Sequence, residues 1–128
     1  MRTDIRVGDS AAVTRRYTAD DLAGFAALAG VPADSVDQVP EPLIGALFSY
    51  LLGVKVPGPG TNYLKQDIVF SQPVPLGEAC TATVTVTRLR PDKHLCDLAT
   101  VLTGADGRRL AEGRALVLVR DVGAAVHG

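Results

Sequence analysis

The stretch PLIGALFSYLLG, residues 42–53, limits most severely what this chain can fold into. Leu43, Ile44, Ala46, Leu47, Phe48, Leu51 and Leu52 leave almost no polar face if the segment is helical. A helix apolar on every side gains stability only when other elements wrap it, because each face left in water forfeits the hydrophobic term. Pro42 suits the first helical position, where its missing N–H would be unpaired in any case. The segment is too short for a bilayer, which takes about 20 residues of helix. No longer apolar run occurs, and the N-terminus MRTDIRVGDS lacks the apolar stretch of a signal peptide. A cytoplasmic protein without membrane contact is therefore expected.

The wrapping material lies downstream. Residues 61–119 read as four long strands: TNYLKQDIVF, then EACTATVTVTRLR, HLCDLATVLT and RRLAEGRALVLV, with turns at Pro73–Gly77, Pro91–Lys93 and Gly104–Gly107. Short turns between strands imply antiparallel pairing. In the second strand Cys80, Ala82, Val84 and Val86 alternate with Thr81, Thr83, Thr85 and Thr87, giving one apolar and one hydroxyl-bearing face. The apolar face needs a helix, and residues 42–53 supply it. The fold class expected is α+β: a curved antiparallel sheet around a central apolar helix, the hot-dog arrangement. At 128 residues the chain has the size of one domain spanning 1–128.

Upstream, Thr18 and Asp21 have the spacing of a capping box, and Leu22, Phe25, Ala26, Leu28 and Ala29 form an apolar stripe that ends at Gly30 and Pro32. The loop from Val31 to Glu41 carries Asp34, Asp37 and Glu41. A formal net charge of -1 and 5% aromatic residues offer neither a basic field nor a stacking platform, so nucleic acid is not an expected partner. Cys80 and Cys96 fall on the two arms of the hairpin that turns at Pro91–Lys93, and Cys96 should lie opposite about residue 89. Two free buried thiols follow rather than a disulfide. No Cys/His cluster suggests a metal, and no cofactor is implied.

From Leu51 to Val119 the chain closely resembles MaoC-like, (R)-specific enoyl-CoA hydratases, as do the opening VGDSAAVTRRYTADDLAGFAALAG and the central helix. The most specific pieces are Pro57-Gly58-Pro59-Gly60-Thr61-Asn62-Tyr63-Leu64 and Val74-Pro75-Leu76-Gly77-Glu78. The resemblance implies that two subunits pair with their sheets running on side by side, as a homodimer or with another hot-dog chain. It further implies that an acyl thioester of coenzyme A or acyl carrier protein enters a tunnel at that interface, with the acyl chain along the central helix. Gly60, Thr61, Asn62 and Tyr63 would then line the tunnel; the alternative for the glycines is a tight turn before a strand.

The family's catalytic motif, Gly-Asp-x-Asn-Pro-x-His, is where the chain departs. Gly30 to Val36 match it in position, and the catalytic Asp and His positions are Val31 and Val36. The following loop is short, and Pro40-Glu41-Pro42-Leu43 stands where the family opens its helix with His-Gly-Met-Leu. Donors for a thioester oxygen are still expected at the helix start, from the N–H groups of Leu43 and Ile44. Candidate replacement carboxylates are Glu41, Asp34 and Asp37. Glu41 at the helix start could activate water, or could simply sit favourably on the helix dipole; Asp34 and Asp37 are otherwise solvated loop acids. His94 and His127 lie away from the motif. The implied function is acyl-thioester binding of the enoyl hydratase or 3-hydroxyacyl dehydratase type with an altered acid/base pair. The alternatives are a thioesterase using a loop carboxylate and a non-catalytic subunit of a heterodimeric dehydratase.

Overall fold

The computed structural model describes residues 5–30 and 38–119. Strand β1 (Ser10–Arg16) leads to helix α1 (Ala19–Ala29), then helix α2 (Glu41–Tyr50), which a π-helical turn prolongs through Leu51–Lys55. Strands β2 (Thr61–Phe70), β3 (Ala79–Arg90), β4 (Leu95–Thr103) and β5 (Arg109–Val119) follow. The strands form one five-stranded antiparallel sheet in the order β1-β3-β4-β5-β2. The four strands expected over residues 61–119 are all present.

The fifth strand, β1, was not legible as one. Its run SAAVTRR ends in two arginines and has no buried position, yet it pairs with β3 from Ser10↔Thr85 to Arg16↔Ala79. Only Ala11 and Val13, both partly buried, pack against the core, and the hydroxyl face of β3 adds cross-strand contacts on the other side. Thr14 and Thr81 share a hydrogen bond of 2.8 Å between their hydroxyls, and Ser10 meets Thr85 at 3.1 Å. Cross-strand hydroxyl pairs of this kind support a ladder whose apolar face is thin.

The other face of the sheet carries the core. Cys80, Ala82, Val84 and Val86 of β3 are buried there, with Cys96, Leu98 and Leu102 of β4 and Ala115, Val117 and Val119 of β5. Ile44, Phe48, Leu51 and Leu52 from α2 and its π-helical turn join the same cluster, each 0% exposed. The central helix is thus swallowed by the sheet on one flank, and only on one: Ala46, Ser49 and Tyr50 face solvent. A helix apolar all round has been given half the cover it needs.

Two boundaries differ from the sequence reading. Helix α2 starts one residue early, with Pro40 as its extended N-cap residue and Pro42 at its second position. It leaves α-geometry after Tyr50, where the π-helical turn begins. The α1 capping box forms in full, with Asp21 N–H donating to Thr18 Oγ1 at 3.3 Å and Thr18 N–H to Asp21 Oδ2 at 2.7 Å. The α1 stripe is narrower than expected: Leu22 and Ala26 are buried, Phe25 is half-buried and Leu28 stands in solvent. Both cysteines are buried and free, and Cys96 lies opposite Leu89.

Candidate functional site

The first turn of α2 offers fewer donors than expected. Pro40 and Pro42 have no N–H, and the Leu43 N–H already donates to the Pro40 carbonyl at 3.1 Å. Ile44 is the first residue with a carbonyl four positions behind it, and it is wholly buried. The expectation that Leu43 and Ile44 are free donors is therefore corrected by the short turn that Pro40 closes. The donor left without an intrahelical partner is the N–H of Glu41, at the positive end of the helix. The Glu41 side chain is exposed beside a cleft of ≈ 210 Å³ shared with Val39, Phe70 and Ser71.

Strand β2 supplies the second wall. Gly58 and Gly60 take φ of 91° and 90°, the left-handed region, so both serve the tight turn before the strand. Register then sorts the expected tunnel residues. Thr61 lies opposite Val119 and Tyr63 opposite Val117, on the core face, whereas Asn62 lies opposite Leu118 on the outer face. Asn62 thus points away from α2, because strand side chains alternate. A register shift between Tyr63 and Lys65 makes Leu64 an extra residue and puts Gln66, opposite Ala115, back on the core face. Spacing alone would have given Gln66 the other face; the irregularity in the ladder is what sequence reasoning could not see.

The inner row of β2 is polar where it meets the uncovered flank of α2. Burial pushes the Tyr63 phenol above its ordinary pKa, while a hydrogen bond with Ser49 of α2 pulls it back. Thr61 Oγ1 and Gln66 Nε2 are buried and have no hydrogen-bond partner. Beside them the outer edge of β2 is unpaired among the described residues, where β5 is its one neighbour in the sheet. Val54, Tyr63 and Leu64 remain between 38% and 54% exposed.

On its other flank α2 forms a groove of ≈ 410 Å³ with β1, lined by Val13, Tyr17, Leu43, Ala46, Leu47 and Tyr50 among others. The Tyr17 hydroxyl donates to the Leu43 carbonyl at 3.3 Å, and Arg15 lies 5.0 Å from the Tyr17 ring centre. Asp34 and Asp37 lie outside the described residues, as do the positions matching the catalytic motif from Val31 to Val36 and also His127. His94 ends the β3–β4 turn with φ 56°, its N–H on the Pro91 carbonyl. Among the described residues no cluster of side chains could hold a metal, and no helix is long and apolar enough to cross a membrane.

A helix half-wrapped by an antiparallel sheet, with a polar row on a free edge strand, defines a hot-dog protein. No family model matches the chain. It is 36% identical over 126 residues to the (R)-specific enoyl-CoA hydratase of Aeromonas caviae, covering 88% of this chain and 94% of that one. A second (R)-specific enoyl-CoA hydratase, from Rhodospirillum rubrum, is 36% identical over 129 residues, 91% of this chain and 89% of the relative. The solved structure of the A. caviae (R)-hydratase involved in PHA biosynthesis superposes with a TM-score of 0.83 at 33% identity, over 93% of this chain and 100% of that chain. The chain belongs to the MaoC-like, (R)-specific enoyl-CoA hydratase family.

Proposed function

We propose that this protein binds an acyl thioester of coenzyme A or acyl carrier protein between α2 and the inner row of β2. We propose further that it acts in the hydration of 2-enoyl thioesters or the reverse dehydration of 3-hydroxyacyl thioesters, with an acid/base pair altered from the family's. The observation that carries this reading is the solvent-facing flank of α2 beside a row of polar groups on the edge strand, Ser49 of the helix meeting Tyr63 next to the unpartnered Thr61 Oγ1 and Gln66 Nε2. A second copy joined along the β2 edge would cover that flank and enclose a slot. The edge position of β2 and the exposed Val54, Tyr63 and Leu64 support such pairing.

In this reading the Glu41 N–H, with the helix dipole behind it, stabilises the charge that develops on the thioester oxygen. Proton transfer is the weaker half. One positioned acid/base group contributes on the order of 10² to 10⁴ in rate, and the motif positions of the family's Asp and His are valines here. Glu41, Asp34 and Asp37 are the candidate replacements. The experiment follows the enoyl absorbance and the release of free thiol from crotonyl-CoA in parallel. Loss of absorbance without thiol release supports hydration, and saturable binding with neither change supports a scaffold chain whose partner brings the acid/base pair. Thiol release abolished by Glu41→Gln would make the protein a thioesterase instead, and no interaction with the thioester at all would end the proposal.

The scaffold reading has one observation of its own. The sole histidine among the described residues, His94, ends the β3–β4 turn rather than facing the start of α2. Co-purification with a second hot-dog chain, and activity only in its presence, would test it.

A further inference from the structure

Gln66 carries a buried side-chain donor without a partner among the described residues. The register shift at Leu64 turns it onto the core face, opposite Ala115, and its Nε2 is buried with no acceptor. Leaving a desolvated donor unpaired is costly, and folded proteins rarely tolerate one without a use for it. A leucine or methionine would fill the same place at no such cost. The other polar groups of the inner row do not absorb it: Tyr63 is engaged with Ser49, and Thr61 Oγ1 is itself without a partner. Gln66 is half-buried as a residue, so part of its side chain reaches the surface while the amide nitrogen stays buried.

Resting on the thioester reading above, we propose that the Gln66 side-chain amide is the donor that recognises a carbonyl oxygen of the ligand. That oxygen belongs either to the thioester or to an amide of the pantetheine arm. Both are neutral carbonyl acceptors, and the first would align the reacting centre while the second would fix the arm.

The test titrates crotonyl-CoA and free coenzyme A into the intact protein and into Gln66→Leu, with thermal unfolding of both in the absence of ligand. Coenzyme A has the pantetheine amides and lacks the thioester carbonyl. Loss of one neutral hydrogen bond weakens binding by about three- to tenfold. Weakening for crotonyl-CoA alone assigns Gln66 to the thioester oxygen, and equal weakening for both ligands assigns it to the arm. Because the substitution removes an unpaired buried donor, the unliganded variant should melt no lower than the parent. Unchanged affinity for both ligands overturns the proposal, as does a variant that has lost subunit pairing while binding each ligand as before. Should Gln66→Leu fail to fold, Gln66→Met keeps an unbranched side chain of similar length, removes the donor and reads the same arms. If the unsubstituted protein binds neither ligand, the thioester reading fails together with this one; if it binds and only the substitution is silent, this inference alone fails.

Discussion

Replacing Phe48 by alanine tests whether α2 is the core of the molecule. Phe48 is 0% exposed and belongs to the same cluster as Ile44, Leu51 and Leu52, packed against the buried faces of β3, β4 and β5. Truncating a buried phenylalanine removes its transfer free energy and leaves a cavity, together about 3–5 kcal/mol. A domain of this size has about 5–15 kcal/mol of stability to lose, so Phe48→Ala should remain folded but only narrowly. With a urea dependence of about 2 kcal/mol per molar, the midpoint should fall by about 2 M. Tyr50→Ala is the control, because Tyr50 lies two residues along the same helix and is 44% exposed. It should cost less than about 1 kcal/mol. Urea unfolding followed by far-ultraviolet circular dichroism, at one fixed protein concentration to hold subunit association constant, reads both. Equal costs at Phe48 and Tyr50, or a Phe48 cost under about 1 kcal/mol, would refute the placement of α2 against the sheet.

Four further outcomes follow from the packing and the titrating groups. A Cβ at Gly113 would run into the Asp67 carbonyl of β2, so Gly113→Ala should force β2 away from β5 and cost at least about 1–3 kcal/mol in thermal unfolding, with acyl-thioester binding lost before the fold is. Thr18→Ala removes the α1 cap and should cost about 1 kcal/mol. In the same box the backbone hydrogen bond to Thr18 holds the Asp21 carboxyl below its usual range. A depressed carboxylate stabilises the fold above its unfolded pKa, and that contribution goes as pH falls through the folded one; Asp21→Asn should therefore flatten part of the acid transition. Burial raises the Cys96 thiol to about 11. The folded state then keeps its proton where the unfolded chain loses it, so stability should decline from about pH 9 to pH 11, and Cys96→Ala should remove that part of the slope in urea titrations.

What could be read from the sequence was what period and local chemistry fix. The Cys80 to Thr87 alternation, the Thr18–Asp21 box and the Pro91–Lys93 turn each depend on neighbours along the chain, and each is present. The partners that come from elsewhere were harder to see. Strand β1 has an apolar rhythm of only two residues, Ala11 and Val13, and part of its support comes from threonine hydroxyls of β3, distant in sequence. The loss of Leu43 as a donor depends on how tightly the chain turns at Pro40. The positions of Asn62 and Gln66 relative to α2 are set by a single extra residue at Leu64, which shifts the phase of everything after it. Of the candidate site, the strand and helix were legible; which of their side chains face one another was not.

Hydrogen exchange of the protein with and without saturating crotonyl-CoA tests the central claim most directly, since it reports where along the backbone a ligand is felt. Added protection is expected in residues 41–55 and 61–66, on α2, its π-helical turn and the start of β2. Protection confined to β1 and the groove beside Tyr17, or no change anywhere at saturating ligand, would contradict it.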